Sequence, residues 1–361
     1  MSGATLRELE ADVEDRAAEH AVPCPACGGE RFDILLSPEE VRAEQEWLDA
    51  FHAARIERPA GDDEGAKDRA SFTQSDATNV VACRACGTVL RDPQPTCRAL
   101  ALTYALDHYG EDALARLAAN QEQFFRAKLT QLAEHAIGCA LPGDGARVLE
   151  VGSFVGGFLV AARERGWRAL GVDVGVETVE FMRRKGLDVV RGDVLDADFS
   201  TAAFEAVFVW NTFDQLCNPA DVLARIAELV GPGGLLVVRV PNGRFEAACV
   251  ALRRSAVRER RRERILRAQA YNNFLTFPYL TGYTPESLGA LLARHGFRVG
   301  RVYGDTILSL AGPDTKPFAV HEEERTKRAV LRLCERIRCS GGAVVHPWID
   351  VVGRRVDSPA A

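Results

Sequence analysis

The chain has no apolar run near the roughly 20 residues that a membrane-spanning helix needs, so no such span is expected. It has no excess of positive charge either. Its 45 Lys and Arg stand against 51 Asp and Glu, a net charge of −6, which gives no general attraction to nucleic acid or to anionic lipid. The stretch Met1 to His20 is acidic and helix-like and has no apolar core of the kind a secretory signal carries. The ten cysteines do not have the spacing of a secreted disulfide framework: four form two C-x-x-C pairs, and Cys97, Cys139, Cys217, Cys249, Cys334 and Cys339 are scattered. These absences lead to the expectation of a cytoplasmic protein whose scattered cysteines are thiols, some of them buried. Cys334 and Cys339, five apart, do not have a metal-binding spacing. There is no internal repeat. What is present is 361 residues, 47% apolar and 27% charged, an ordinary globular composition with length enough for two domains.

Glycine and proline divide the chain into parts. Residues 1–98 hold the paired cysteines, 99–143 read as a helical connector ending at Pro142-Gly143-Asp144-Gly145, and 144–361 alternate apolar runs with amphipathic stretches. That alternation predicts an α/β fold, a Rossmann-like seven-stranded, mostly parallel sheet with helices on both faces. Strands are expected at 147–152, 169–173, 188–192, 206–211, 235–240 and 297–303, with a closing strand at about 343–352. Helices are expected at 156–165, 177–185, 220–230, 285–295 and 322–338. Two excursions interrupt the pattern. One lies between the cysteine pairs, with a helix at 38–56 and the polar run Arg58–Arg69; the other is the insert 244–283, with a basic helix at 250–268 followed by an aromatic cluster.

The most informative stretch is Arg147-Val-Leu-Glu150-Val-Gly152-Ser153-Phe154-Val-Gly156-Gly157-Phe158. It reads as a buried strand, a glycine turn and a helix start, an arrangement that lets a ligand lie against backbone at the carboxyl end of a parallel sheet. The dinucleotide fingerprint G-x-G-x-x-G is not met, because Phe154 occupies its middle position. Glu150 is also a poor neighbour for a pyrophosphate and a good one for an ammonium. Asp173, ending the second strand, offers two oxygens to a ribose diol. Asp193 after the third strand can accept from an adenine amine, and Val174 and Val194 can sandwich the base.

These residues, with Gly192-Asp193 and Gly231-Pro232-Gly233-Gly234, resemble the ordered motifs of class I S-adenosylmethionine-dependent methyltransferases over roughly residues 145–311. The resemblance implies an enzyme that takes S-adenosylmethionine as cofactor. Its cofactor-binding residues would be Glu150, Gly152, Ser153, Gly156, Gly157, Asp173, Val174, Asp193, Val194 and Asn211. The family's usual glycine is replaced by Phe154, which bears on the shape of the turn.

Cys24-Pro-Ala-Cys27-Gly and Cys83-Arg-Ala-Cys86-Gly each let two thiolates face one ion. Four thiolates suit a tetrahedral structural Zn2+, and a closed four-sulfur shell leaves no position for substrate. Two unrelated pairs, or a redox dithiol, is the alternative. The layout is similar to methyltransferases of sugar and natural-product gene clusters that carry an N-terminal zinc-binding, zinc-ribbon-like unit.

The acceptor side is expected in residues 99–110, 211–215 and 271–283. Many relatives carry a Glu-His pair after the fourth strand, where this chain has Asp214-Gln215, so Asp214 is a candidate base. Where the zinc-bearing sugar C-methyltransferases show His-Glu-His, this chain reads Pro278-Tyr279-Leu280, which argues against their carbon methylation. Tyr279 and Tyr283 are candidate catalytic or acceptor-lining residues, and His108-Tyr109 a further contributor. The arginines of 250–268 form either a solvated, ion-paired helix or an attractor for a phosphorylated or carrier-bound acceptor. The resulting expectation is methyl transfer to oxygen or nitrogen of a small molecule, a sugar or secondary metabolite. The alternatives are an RNA methyltransferase using the zinc unit to bind RNA, which the acidic charge disfavours, and a non-catalytic S-adenosylmethionine-binding scaffold.

Overall fold

A strict two-residue alternation builds the centre of the molecule. In the computed structural model, which describes residues 19–55, 78–105, 108–135, 141–199, 203–275, 279–306 and 315–356, Leu149, Val151, Val207, Val209, Leu236 and Val238 point into one hydrophobic layer. Their neighbours Val148, Ala206, Phe208, Trp210, Leu235 and Val237 point into another. A strand buried on both faces reads as such a continuous apolar run. Residues 1–18, the run Arg58–Arg69 and Cys139 lie outside the described residues.

In chain order the first part contains β1 (Glu19–His20), β2 (Phe32–Leu36), α1 (Pro38–Ala53), β3 (Asn79–Cys83), β4 (Val89–Asp92), β5 (Gln94–Pro95), α2 (Cys97–Ala105) and α3 (Glu111–His135). Then follow β6 (Arg147–Val151), α4 (Gly157–Glu164), β7 (Arg168–Asp173), α5 (Val176–Arg184), β8 (Val189–Arg191), β9 (Phe204–Trp210), a 3-10 turn (Phe213–Gln215), α6 (Pro219–Leu229) and β10 (Val230–Pro241). The last part holds α7 (Gly243–Arg254), α8 (Glu259–Gln269), β11 (Thr281–Gly282), α9 (Pro285–Arg294), β12 (Phe297–Asp305), α10 (Pro317–Cys339) and β13 (Trp348–Arg355).

The large sheet has seven strands in the order β12-β13-β10-β9-β6-β7-β8. All ladders from β10 to β8 are parallel, and β13 runs antiparallel to both of its neighbours. Helices α6 and α9 supply Val222, Leu223, Ile226, Leu288, Leu291 and Leu292 to one face. Helices α3, α4 and α5 supply Phe125, Leu129, Phe158, Leu159, Val179 and Met182 to the other. The expected fold class is therefore the observed one.

Several boundaries differ from expectation for identifiable reasons. The closing strand begins at Trp348 rather than near Ala343, because its register is set by the Arg239↔Asp350 and Val238↔Val351 pairs with β10. The expected basic helix is two helices, α7 and α8, separated at residues 255–258. The fifth strand, expected from Leu235, begins at Val230 and takes in the glycines at 231–234. They form an irregularity inside β10, between the Val230 and Leu235 pairings with β9.

The cysteine pairs sit on a four-stranded antiparallel sheet in the order β11-β4-β3-β2. Its fourth strand, β11, comes from the insert almost 200 residues later: Thr281 pairs with Leu90 and Gly282 with Val89. Helix α1 is closed at its N-terminus by Ser37 and Glu40 in a reciprocal capping box. It packs Val41, Leu48 and Phe51 with Tyr271, Phe274, Tyr279 and Trp348 in one apolar cluster.

Two of the scattered cysteines are not thiols. Cys97, opening α2, and Cys217, after the 3-10 turn, form a disulfide with Cα atoms 5.5 Å apart. A separation of 120 residues gave the sequence no local signal for it.

Candidate functional site

The turn after β6 is shaped by two requirements for glycine. Gly152 has φ +76°, and a Cβ there would meet the Thr212 hydroxyl at 2.2 Å. A Cβ on Gly157 would meet the backbone of Gln121 and Glu122 on α3 at 2.8–2.9 Å, so α3 and α4 touch backbone to backbone. Phe154, which stands where the resemblance implies a glycine, takes the left-handed conformation that the turn needs, at φ 47°. It is held there by its N–H, which donates to Asp173 Oδ2 at 2.7 Å, and by edge contact with the Tyr109 ring at 5.5 Å. The substitution therefore keeps the turn and adds an aromatic wall.

Asp173 is the hub of this turn. Its Oδ1 also accepts from Gly175 N–H at 2.9 Å and from the Thr178 hydroxyl at 3.1 Å. Burial pushes its carboxyl up, against the pull of those donors. Glu150 is buried, and its Oε2 has no partner among the described residues. Burial, reinforced by the nearby Asp173 charge, raises its carboxyl well above the ordinary range. Two carboxyls sharing one wall, one with an orphaned oxygen, make a site that a cation would relieve.

That wall belongs to a cavity of about 330 Å³. Of the expected cofactor residues, Glu150, Gly152, Asp173, Val174, Asp193, Val194 and Asn211 line it together. Ser153, Gly156 and Gly157 do not. The Ser153 hydroxyl donates to Glu150 O at 3.2 Å, and the two glycines lead into α4 against side chains of α5 and the backbone of α3. Asn211 sits at φ 52°. Its side-chain oxygen accepts from Arg239 Nε at 3.1 Å, and its carbonyl accepts from Gln215 Nε2 at 2.6 Å.

The three candidates for chemistry separate. Tyr279 lines the cavity. Tyr283 is wholly buried beside Phe213, with ring centroids 5.4 Å apart, and is not part of the lining. Asp214 is also wholly buried, does not line the cavity, and is pushed up to about 8 by burial, so its carboxyl carries its proton at neutral pH. The structure therefore corrects the reading of Asp214 as a base and of Tyr283 as a pocket residue: neither reaches the space where an acceptor can lie. Of the pair His108-Tyr109, the tyrosine lines the cavity, while the exposed His108 binds Glu177 at 2.8 Å.

Leu100 and Tyr104, on α2, fall in the expected acceptor stretch 99–110, while Gln121, Phe125, Trp210 and Trp348, from α3, β9 and β13, lie outside the expected acceptor stretches. Tyr104 donates to Gln215 Oε1. Together with the Cys97–Cys217 disulfide, this contact ties α2 to the loop after β9. A buried ionic set lies behind the wall. Arg239 meets Asp350 at 2.9 Å and Asp305 at 3.1 Å, and Lys128 pairs with both acids. Against the opposing effect of burial, Arg239 and Lys128 hold Asp305 at about 2. The signal available was an Arg and an Asp inside two otherwise apolar strand runs.

The four paired cysteines converge. Cys24, Cys27, Cys83 and Cys86 place all their sulfurs within 4.8 Å of one another, with 3.5 Å between Cys24 and Cys86 and 3.6 Å between Cys27 and Cys83. A tetrahedral ion with metal–sulfur bonds of about 2.3 Å needs sulfurs about 3.8 Å apart, so the donor set fits one. Gly28 and Gly87, both with positive φ, turn the chain after each pair.

The arginines of the insert are partly engaged. Arg253 pairs with Glu44 at 2.8 Å in a buried contact, Arg254 with Glu40 at 3.2 Å, and Arg267 with Glu263 at 2.8 Å. They bind the insert to α1 and to itself, as the ion-paired reading held.

Comparison with known proteins agrees with this geometry. Residues 111–302, more than half of the chain, match a family described as "Methyltransferase domain". No curated protein matches the sequence. Among solved structures, an S-adenosylmethionine-dependent methyltransferase from Archaeoglobus fulgidus is 15% identical, covering 65% of this chain and 94% of its own, with a TM-score of 0.42. The CcbJ methyltransferase from Streptomyces caelestis is 16% identical, covering 66% and 90%, with a TM-score of 0.40. A methyltransferase from Thermotoga maritima is 17% identical, covering 67% and 96%, with a TM-score of 0.39. With the glycine turn, the acid-lined cavity and the family match over 111–302, the chain belongs to the S-adenosylmethionine-dependent methyltransferases.

Proposed function

We propose that this enzyme moves a methyl group from S-adenosylmethionine to oxygen or nitrogen of a small-molecule acceptor, in the cytoplasm, with a structural Zn2+ in its four-cysteine cluster. The observation that carries this reading is one cavity lined both by the carboxyl groups of Glu150, Asp173 and Asp193 and by the aromatic rings of Tyr104, Tyr279 and Trp348. The orphaned Glu150 oxygen fits a ligand ammonium, and Asp173, whose Oδ1 accepts two protein hydrogen bonds and whose Oδ2 accepts one, keeps an open position on Oδ2 for a ribose hydroxyl. Val174 and Val194 would flank the adenine, Asp193 would accept from its amine, and Asn211 would close the donor site. S-adenosylmethionine, when bound, supplies a methyl group already activated by its sulfonium.

The protein's contribution is then alignment and exclusion of water by the aromatic wall, the effects that lower the barrier of an in-line displacement. Tyr279 is the one candidate of the three placed to touch an acceptor. We read residues 1–98 as the zinc-binding domain, 99–143 as the helical connector and 144–361 as the catalytic domain, with β11 joining the first to the last.

Calorimetry with S-adenosylhomocysteine tests the donor site. Asp173→Ala removes the acceptor of three protein hydrogen bonds as well as the diol contact. It is expected to weaken binding about 10- to 100-fold, on the scale of one charge-assisted hydrogen bond. Absence of binding to the wild-type protein would overturn the reading. Metal analysis is expected to return about one zinc per chain.

A further inference from the structure

The lining of the cavity is rich in aromatic rings. The chain has six Tyr and four Trp, and three of those tyrosines and two of those tryptophans line this single cavity, as Tyr104, Tyr109, Tyr279, Trp210 and Trp348. Every charged residue among the described lining is a carboxylate, namely Glu150, Asp173 and Asp193. No Lys, Arg or His is among them. The stretches next in sequence to lining residues, 106–107 and 276–278, read Leu-Asp and Thr-Phe-Pro and contain no cationic residue either. The buried cations behind the wall are committed elsewhere: Arg239 to Asp305 and Asp350, and Lys128 to the same two acids.

An anion brought into such a space would lose its water and find no counter-charge, a cost of several kcal/mol. A flat apolar body meets the opposite situation. Aromatic walls bury it well, and tyrosine and tryptophan edges offer hydrogen bonds. A protonated amine gains further from ring faces. The indole N–H of Trp210, buried and without a partner among the described residues, leaves a donor in this wall for which the protein supplies no acceptor.

We infer that the acceptor is an aromatic or similarly flat apolar molecule bearing a hydroxyl or amine and no anionic group. This rests on the donor-site reading above and narrows it: acceptors whose phosphate would sit inside the chamber are excluded. The arginines of α7 and α8 do not change that, because none of them lines the cavity.

The test uses the full-length protein saturated with S-adenosylhomocysteine, whose binding is first shown by calorimetry. Failure at that step refutes the donor reading rather than this one. Two ligand sets of similar size are then compared by saturation-transfer NMR and by tryptophan quenching: phenols and arylalkylamines such as tyramine, and anions such as glucose 1-phosphate and phenyl phosphate. Members of the first set are expected to bind and the anions to give no signal. Binding of the anions, or silence of the entire first set, would overturn the inference. A second measurement uses Ala101→Lys, at an exposed position of the lining on α2. The added cation is expected to weaken arylalkylamine binding about tenfold at low salt and to leave neutral phenols nearly unchanged. Equal effects on both would count against an electrostatic origin and overturn it.

Discussion

Asp214→Asn provides a test in which the sign of the effect matters more than its size. Asp214 lies in the 3-10 turn after β9, with no exposed surface. Neither of its oxygens accepts a well-formed hydrogen bond. Burial pushes its carboxyl up to about 8, against the attraction of Arg239, and the Tyr283 hydroxyl nearby is itself raised by burial and by the Asp214 charge. In the unfolded chain the same carboxyl titrates near 3.8. Between these two values the folded state holds a proton that the unfolded state has released. The stability associated with the group is therefore fully present below about pH 4 and is lost as pH rises towards 8. From pH 5 to pH 8 the loss amounts to about 3.5 kcal/mol, at about 1.4 kcal/mol per unit of pH. Asparagine has the same shape and does not titrate. Urea unfolding of both proteins at pH 5, 6, 7 and 8 is expected to show wild type losing about that much relative to Asp214→Asn. The raised carboxyls of Glu150 and Glu246 are common to both proteins and cancel in the difference. Parallel pH profiles would refute the claim that Asp214 is protonated in the folded enzyme.

Asp350→Ala leaves Arg239 and Lys128 buried without one of their two shared acids, and urea unfolding should report a loss of about 3–5 kcal/mol. Gly152→Ala places a Cβ 2.2 Å from the Thr212 hydroxyl at a positive φ. A loss of about 2–4 kcal/mol is expected, with Thr212→Ala in the same chain recovering the steric part and not the backbone part. Cys97→Ser opens a cross-link spanning 120 residues. Thermal unfolding without reductant should show a destabilisation of up to about 5 kcal/mol, and dithiothreitol should erase the difference from wild type.

The donor half of the site was legible because its determinants are local. Glu150, Gly152 and Asp173 are fixed by a strand, a turn and the end of the next strand, and each leaves a short-range pattern. The four-cysteine cluster was legible for the same reason, as two C-x-x-C pairs with fixed spacing. Phe154 looked like a departure, yet it adopts the glycine's conformation because Asp173 and Tyr109 hold it. The aromatic part of the cavity was legible only as the stretches 99–110 and 271–283, which contribute Leu100, Tyr104, Tyr109 and Tyr279; the walls from α3, β9 and β13 are gathered by tertiary packing alone. Asp214 misled because its position in the motif is conspicuous while its burial is invisible in sequence. Cys97 and Cys217 carried no spacing signal, and the break between α7 and α8 falls in a run of arginines whose charge pattern continues across it.

The pairing of β11 with β4 bears on how this enzyme can be taken apart. Tyr279 stands two residues before Thr281, on a segment that pairs with the cysteine-bearing sheet through β11 and is bridged to the end of β10 by Asn242 and Tyr283. The two units thus share an edge as interlocked pieces, not as beads on a string. A truncation starting at the connector would leave β11 without its ladder and the acceptor wall without its anchor, while β6, β7 and the donor turn would keep every strand they pair with. Chimaeras that exchange only the first hundred residues should inherit a mismatched hinge at 279–283. The natural unit of exchange is the cysteine sheet together with the insert, two stretches far apart in the gene and adjacent in the molecule.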